Sequence, residues 1–358
     1  MFYRETGQFR TTYAQDARIF ALPLDRVAIL VLLAFAFIVV PYVGSHYLLM
    51  AILVPWLILS LAAIGQNIIT GYTGQLSIGS AGFMAVGAFA CFNFMLRIDG
   101  MPFLLAVLLA GLTAALVGVV FGLPSLRIRG LYLAVATLAA QFFIVWSLEK
   151  FGWFTNHDPA GVLTAQPMII LGYHFDTPAE KYLLVLAIVS VLALAAKNMA
   201  RSNIGRGWMA VRDMDVAAEV VGFRLMRTKL QAFAVSSFYC GVAGALFAFA
   251  FLGTVEPSAF SILMSFQILF MVIIGGLATI LGSFIGAAFI LLLPVFLAIF
   301  FDGFTSFFGI SMDKGLLSAF EVLLFGAFIV FFLIVEPHGL ARLWQVAKER
   351  LRLWPFPH

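Results

Sequence analysis

Residues 27–96 run for seventy consecutive positions without a charge at neutral pH, and 257–301 give forty-five more. No water-soluble core uses such stretches, because a bilayer-spanning helix needs only about 20 apolar residues. With 63% hydrophobic and 11% charged residues in 358, and a mean hydropathy of +1.07, the chain reads as an integral membrane protein. Soluble enzymes, nucleic-acid binders and disordered proteins are excluded on this ground. The pI near 9.1 is therefore first a statement about topology.

A helix rises ~1.5 Å per residue through a hydrocarbon core ~30 Å thick, so seventy uncharged residues must fold back on themselves. Pro41 and Gly44 separate a crossing over Val27–Val43 from one over Tyr47–Ile69, and the polar stretch Asn67–Ser80 precedes a third over Ile78–Leu96. Further crossings are expected over Met101–Leu123, Leu131–Leu148, Tyr182–Ala200 and Leu230–Val255. Gly275, Gly276, Gly282 and Gly286 divide the second long run near 280–285 into an eighth and a ninth, and Leu316–Val335 makes a tenth. The expected fold class is thus all-α, a polytopic membrane protein of about ten spans.

Ten spans place both termini on one side, and the basic residues test that count. One side collects 17 of the 21 Lys and Arg, seven of them in the 197–229 loop, while the other holds Arg97, Lys150, Lys181 and Lys314. The expected organisation is a cytoplasmic tail over 1–26, a membrane domain over 27–335 with a cytoplasmic loop at 201–228, and a cytoplasmic tail over 336–358. The first ~25 residues are polar and mixed in charge, and no small-residue cleavage site follows the first span, so that span is expected to stay as an anchor. Cys91 and Cys240 lie in apolar runs without paired spacing and read as packing residues.

Charge is nearly absent at membrane depth, where pumps and secondary transporters place proton or ion carriers. Glu321 is the one acidic residue within an expected span, and two readings stand for it: an interfacial carboxylate or part of a translocation path. The five histidines fall in loops or tails without metal-ligand spacing, and no phosphate loop is present. Uphill transport by this chain would need energy from another.

Residues 65–82, GQNIITGYTGQLSIGSAG, set small polar groups among five glycines where two spans meet. Irregular backbone in a membrane survives only where protein or a water cavity surrounds it. Such a break either packs helices closely through small residues or forms a substrate path, as broken helices do for anionic groups. For the path the candidates are Gln66, Asn67, Gly71, Gln75, Ser77, Gly79, Ser80 and Gly82, with Thr137 and Glu321.

In the 197–229 loop, Ala210, Val211, Met214, Ala217, Ala218 and Val221 fall on one side of an expected four-turn helix, with Arg212, Asp215 and Glu219 opposite and Gly222 ending it. Such a helix either lies on the membrane surface or docks into a groove of a soluble partner. Its A-A-x-x-x-G piece resembles the coupling motif of ABC-importer permeases, although Val216 stands where a glutamate is usual. The wider chain resembles the branched-chain amino acid (LIV-type) ABC-importer permease family, in its longer M-type subunit. The matching pieces are GYTGQLSIGSAGFMAVGAFA (71–90), LPSLRIRGLYLAVATLA (123–139), GRGWMAVRDMDVAAEVVGF (205–223), KLQAFAVSSFYCGVAGALFA (229–248), VEPSAFSILMSFQILFMVIIGG (255–276) and EPHGL (336–340). FTNHDPAGVL (154–163) lacks the glycine-rich T-G-G-x-x-G usual there.

The resemblance implies a permease subunit that is not itself an enzyme, in the cell inner membrane. It implies a second homologous permease, as a heterodimer, two ATP-binding cassette ATPases, an extracytoplasmic substrate-binding protein and surrounding lipid, with no nucleic acid. It assigns Arg212, Asp215, Ala217, Ala218, Glu219 and Gly222 to ATPase coupling. No cofactor is expected on this chain, ATP and Mg being used by the ATPases. The expected substrate is a branched-chain or other small neutral or hydrophobic amino acid. Urea or an aromatic or small organic acid are the alternatives within the family, and a secondary transporter is the alternative outside it.

Overall fold

The computed structural model describes residues 11–12, 23–125, 130–158, 161–170, 173–308 and 339–353, with isolated positions between 320 and 334. Nine helices among the described residues are long and apolar enough to cross a membrane. They cover Arg26–Val43, Leu48–Tyr72, Ser80–Arg97, Phe103–Pro124, Tyr132–Lys150, Pro178–Arg201, Leu225–Leu252, Pro257–Gly275 and Ile280–Leu297. The chain is an all-α, multi-pass membrane protein, and these segments follow the first nine expected crossings. Most of the tenth, Leu316–Val335, and Glu321 with it, lies outside the described residues.

The first span is α1 (Pro23–Ala34) with its continuation to Val43, whose apolar side chains, such as Leu30, Val31 and Ile38, face outward. In water that surface would be untenable; in lipid it is the expected face. The second, α2, runs over Val54–Asn67 between two wider π-turns, Leu48–Leu53 and Ile68–Tyr72. It is followed by α3 (Ser80–Arg97), α4 (Phe103–Ser125), α5 (Leu131–Lys150) and α6 (Pro178–Arg201). Thr177 starts α6 with a capping box: its hydroxyl accepts from the Glu180 N–H, its own N–H donates to the Glu180 carboxylate at 3.0 Å, and Pro178 sits in the first turn.

The loop after α6 folds as two helices, α7 (Asn203–Asp213) and α8 (Asp215–Val220). This corrects the expected continuous four-turn helix: Met214 is extended, with φ −160° and ψ 100°, and breaks it. A long helix α9 (Leu225–Leu246), continued by a π-turn over Phe247–Leu252, returns through the centre of the molecule. Then come α10 (Ile262–Gly275), α11 (Ile280–Phe308) and α12 (Leu340–Leu353). The turn between α10 and α11 occupies 276–279, a few residues before the expected 280–285, because Gly276 ends α10 in a backbone conformation with φ 121°. Four two-residue strands, forming two antiparallel pairs, are the β-structure among the described residues; one pair joins Leu163–Thr164 to Thr254–Val255.

Packing is closest where small residues let helix backbones meet, the main attraction available between helices in lipid. A Cβ on Gly87 of α3 would lie 2.0 Å from the Gly241 carbonyl oxygen of α9, and one on Gly244 of α9 would lie 1.9 Å from the Met84 oxygen of α3. Trp56 of α2 donates its indole N–H to the Phe284 carbonyl of α11 at 3.0 Å. Cys91 and Cys240 are both free and buried. α9 thus holds α2, α3 and α4 together and fixes where the polar stretch after α2 must lie.

Candidate functional site

α2 with its two π-turns is 25 residues long, enough to cross the ~30 Å hydrocarbon core. The glycine-rich stretch follows its last turn, beside α7.

From there, polar side chains tie the stretch to four other segments. The Gln66 amide donates to the Thr70 hydroxyl at 2.9 Å and to the Ser77 carbonyl at 2.6 Å, folding residues 73–79 back under α2. Asn67 donates to the Thr279 carbonyl at 2.8 Å and the Ser283 hydroxyl at 3.0 Å, and its oxygen accepts from the Ala278 N–H at 2.8 Å. Gly71 leaves room for that latch, since a Cβ there would lie 1.9 Å from the Asn67 side-chain oxygen and 2.4 Å from the Ala278 nitrogen.

Thr137 of α5 accepts from the Ile78 N–H at 2.9 Å, and a Cβ on Gly79 would come 2.9 Å from the Thr137 carbonyl. Ser265 of α10 accepts from the Ala81 N–H at 2.9 Å, satisfying one of the free donors at the start of α3, and its hydroxyl donates to the Gln141 side-chain oxygen. Ser80 lies 3.5 Å from the same hydroxyl, and Gly82 faces Gln141. Gln66, Asn67, Ser77, Ser80 and Thr137 are all buried, with partners. Their arrangement is that of a latch between helices.

Gln75 differs. It is 7% exposed, and neither its amide nitrogen nor its oxygen has a hydrogen-bond partner among the described residues. It lines a polar cavity of about 340 Å³ with Thr73, Arg212, Asp213, Asp215 and Lys229. A buried amide without a partner is costly, which marks the position as one for a further polar group.

Arg212, at the end of α7, joins the two candidate sets. Its guanidinium donates to the Gly71 carbonyl at 3.2 Å and to Asp213, with an ion-pair distance of 2.9 Å. Asp215 lines the same cavity, whereas Ala217, Glu219 and Gly222 are exposed and outside it. The Ala218 side chain is turned into the protein and 4% exposed, so the open apolar surface of α8 is made by Met214, Val216, Ala217, Val220 and Val221. Gly222 has φ 104°, the left-handed conformation that ends a helix, and its N–H bonds to the Glu219 carbonyl at 3.0 Å.

Sequence reasoning missed Gln141, Ser265, Thr279 and Ser283 as members of this network. Each was visible as a lone polar residue in an apolar run, but which of them meet depends on helix packing.

The sequence profile of the family described as "Branched-chain amino acid transport system / permease component" matches residues 48–333. The chain is 30% identical over 239 residues to the "High-affinity branched-chain amino acid transport system permease protein LivM" of Escherichia coli (strain K12), covering 60% of this chain and 56% of that protein. It is 31% identical over 239 residues, with the same coverage, to the protein of that name in Salmonella typhimurium. It is 23% identical over 241 residues to the "Probable branched-chain amino acid transport permease protein LivM" of Methanocaldococcus jannaschii, with 66% and 67% covered. The match thus spans little more than half the length of the two bacterial relatives, and no solved structure matches significantly. With the profile extending from α2 across the polar latch and the α7–α8 loop to residue 333, the chain belongs to the branched-chain amino acid transport system permease family.

Proposed function

We propose that this chain is the M-type permease subunit of an ATP-driven importer in the cell inner membrane. In this reading it carries a branched-chain or other small neutral or hydrophobic amino acid inward. Its partners are a second homologous permease, two ATP-binding cassette ATPases that hydrolyse ATP with Mg, and an extracytoplasmic binding protein. Both termini and the 197–229 loop face the cytoplasm, as the distribution of basic residues favours.

The observation that carries this reading is the bond from Arg212 to the Gly71 carbonyl. An ATPase pressing on α7 and α8 would displace Arg212, and with it the end of α2. Asn67 would pass that displacement to the turn between α10 and α11, and Ile78–Gly82 would pass it to α5 and α10. A packed junction of this kind moves as a unit between arrangements rather than deforming gradually. Gln75, with both amide atoms free in the cavity beside Arg212, is positioned to meet a polar head group leaving the path.

The test is ATP-driven uptake in proteoliposomes holding the purified complex. Arg212→Ala is expected to keep the ATPases bound and hydrolysing ATP while uptake falls at least tenfold. Uptake at the wild-type rate would refute the lever, and uptake driven by an ion gradient without any ATPase would refute the importer.

A further inference from the structure

At the opposite end of α3 and α5 from the polar cavity, α3, α4 and α5 line a crevice of about 570 Å³. Its walls are apolar, with Phe89, Phe94, Val117, Phe121 and Phe143 among them, and Phe143 is 56% exposed on the outer surface of the bundle. Along α3 the lining runs from Val86 to Arg97, a rise of about 16 Å, half of a ~30 Å hydrocarbon core and so the depth of one leaflet.

At the mouth stands Arg97. Its side chain bonds Asn93 at 3.0 Å and the Trp153 carbonyl at 2.7 Å, and its guanidinium lies 3.9 Å from the centre of the Trp153 ring. Asn93 is itself buried and donates to the Phe154 carbonyl at 3.0 Å, so the arginine is held in place from below. All of these partners are neutral, and among the described residues the lining of the crevice contains no Asp or Glu. Its polar end thus complements a net negative head, whereas a zwitterionic amino acid would leave its ammonium without a carboxylate. The indole and guanidinium together mark headgroup level, where Trp and Arg concentrate in membrane proteins.

We propose that this crevice is a binding site for one anionic phospholipid, one of its two acyl chains between α3, α4 and α5 and its phosphate on Arg97. Hydrocarbon fills the apolar space that water would occupy at a cost, and the guanidinium supplies a charge-assisted contact that phosphatidylcholine, carrying its own cation, satisfies less well. A lipid wedged there sets the separation of α4 from α5, and α5 carries Thr137 and Gln141 of the latch.

Native mass spectrometry of the purified full-length protein, with its bound subunits, reads this after incubation with phosphatidylglycerol or phosphatidylcholine. The wild type is expected to retain one phosphatidylglycerol per chain, about tenfold more than phosphatidylcholine, as the loss of one charge-assisted contact implies. Arg97→Gln is expected to remove that preference. Ala90→Phe, which fills the crevice and leaves the charge, is expected to remove the bound lipid, and it carries the test should Arg97→Gln fail to fold. Equal retention of the two lipids by the wild type, or an unchanged preference in Arg97→Gln, overturns the proposal. So does a disulfide formed readily between Val117→Cys and a second permease subunit, which would make the crevice a subunit interface.

Discussion

Replacing Asn67 by alanine tests whether the latch holds the end of α2 to the turn between α10 and α11. The substitution removes three hydrogen bonds, to Ala278, Thr279 and Ser283. The Thr279 carbonyl keeps the Ser283 N–H at 3.3 Å, so the Ala278 N–H is the group left without a partner. Bonds between helices in membrane proteins average about 0.6 kcal/mol, and an orphaned buried donor costs about 1–3 kcal/mol. The expected loss is therefore about 2–4 kcal/mol, read by reversible denaturant titration in mixed micelles with tryptophan fluorescence.

Ala278 adds a second arm, because it sits at φ 58°, in the left-handed region that costs a non-glycine residue about 1–2 kcal/mol. Ala278→Gly should therefore stabilise the wild-type background by about 1 kcal/mol and recover part of the loss in Asn67→Ala. A change below about 0.5 kcal/mol in Asn67→Ala, the level of ordinary surface substitutions, would show that the latch holds nothing.

Gly87→Leu should prevent assembly of the membrane domain, since its Cβ already meets the Gly241 carbonyl, and the loss would appear as aggregation on size-exclusion chromatography. Gly79→Leu presses on Thr137 at the latch and should abolish uptake while the ATPases still copurify; loss of assembly instead would assign the stretch to packing alone. On α8, Val220→Glu should release the ATPases from solubilised complex, because Val220 is 84% exposed, whereas Ala218→Trp should lower the stability of the chain itself. Cysteines replacing Glu5, Ile128, Asp215 and Arg350 should react with an impermeant reagent from the cytoplasmic side, and one replacing Ala165 from the other. Labelling at 215 from outside would refute the topology.

The sequence by itself determined the membrane class and the order of the spans. Apolar run length against bilayer thickness is a one-dimensional quantity, and 27–96 must cross more than once whatever its neighbours do. It also marked residues 65–82 as irregular and Gly222 as a helix end, because glycine acts through its own backbone. It did not show the π-turns that lengthen α2 to Tyr72. Nor did it show that Met214 divides the loop helix, that Ala218 faces inward, or that Arg212 of one candidate set bonds Gly71 of the other. Arg212 and Gly71 are 141 positions apart, and a break such as Met214 turns the faces on either side of it independently, so only the packed structure decides which groups meet.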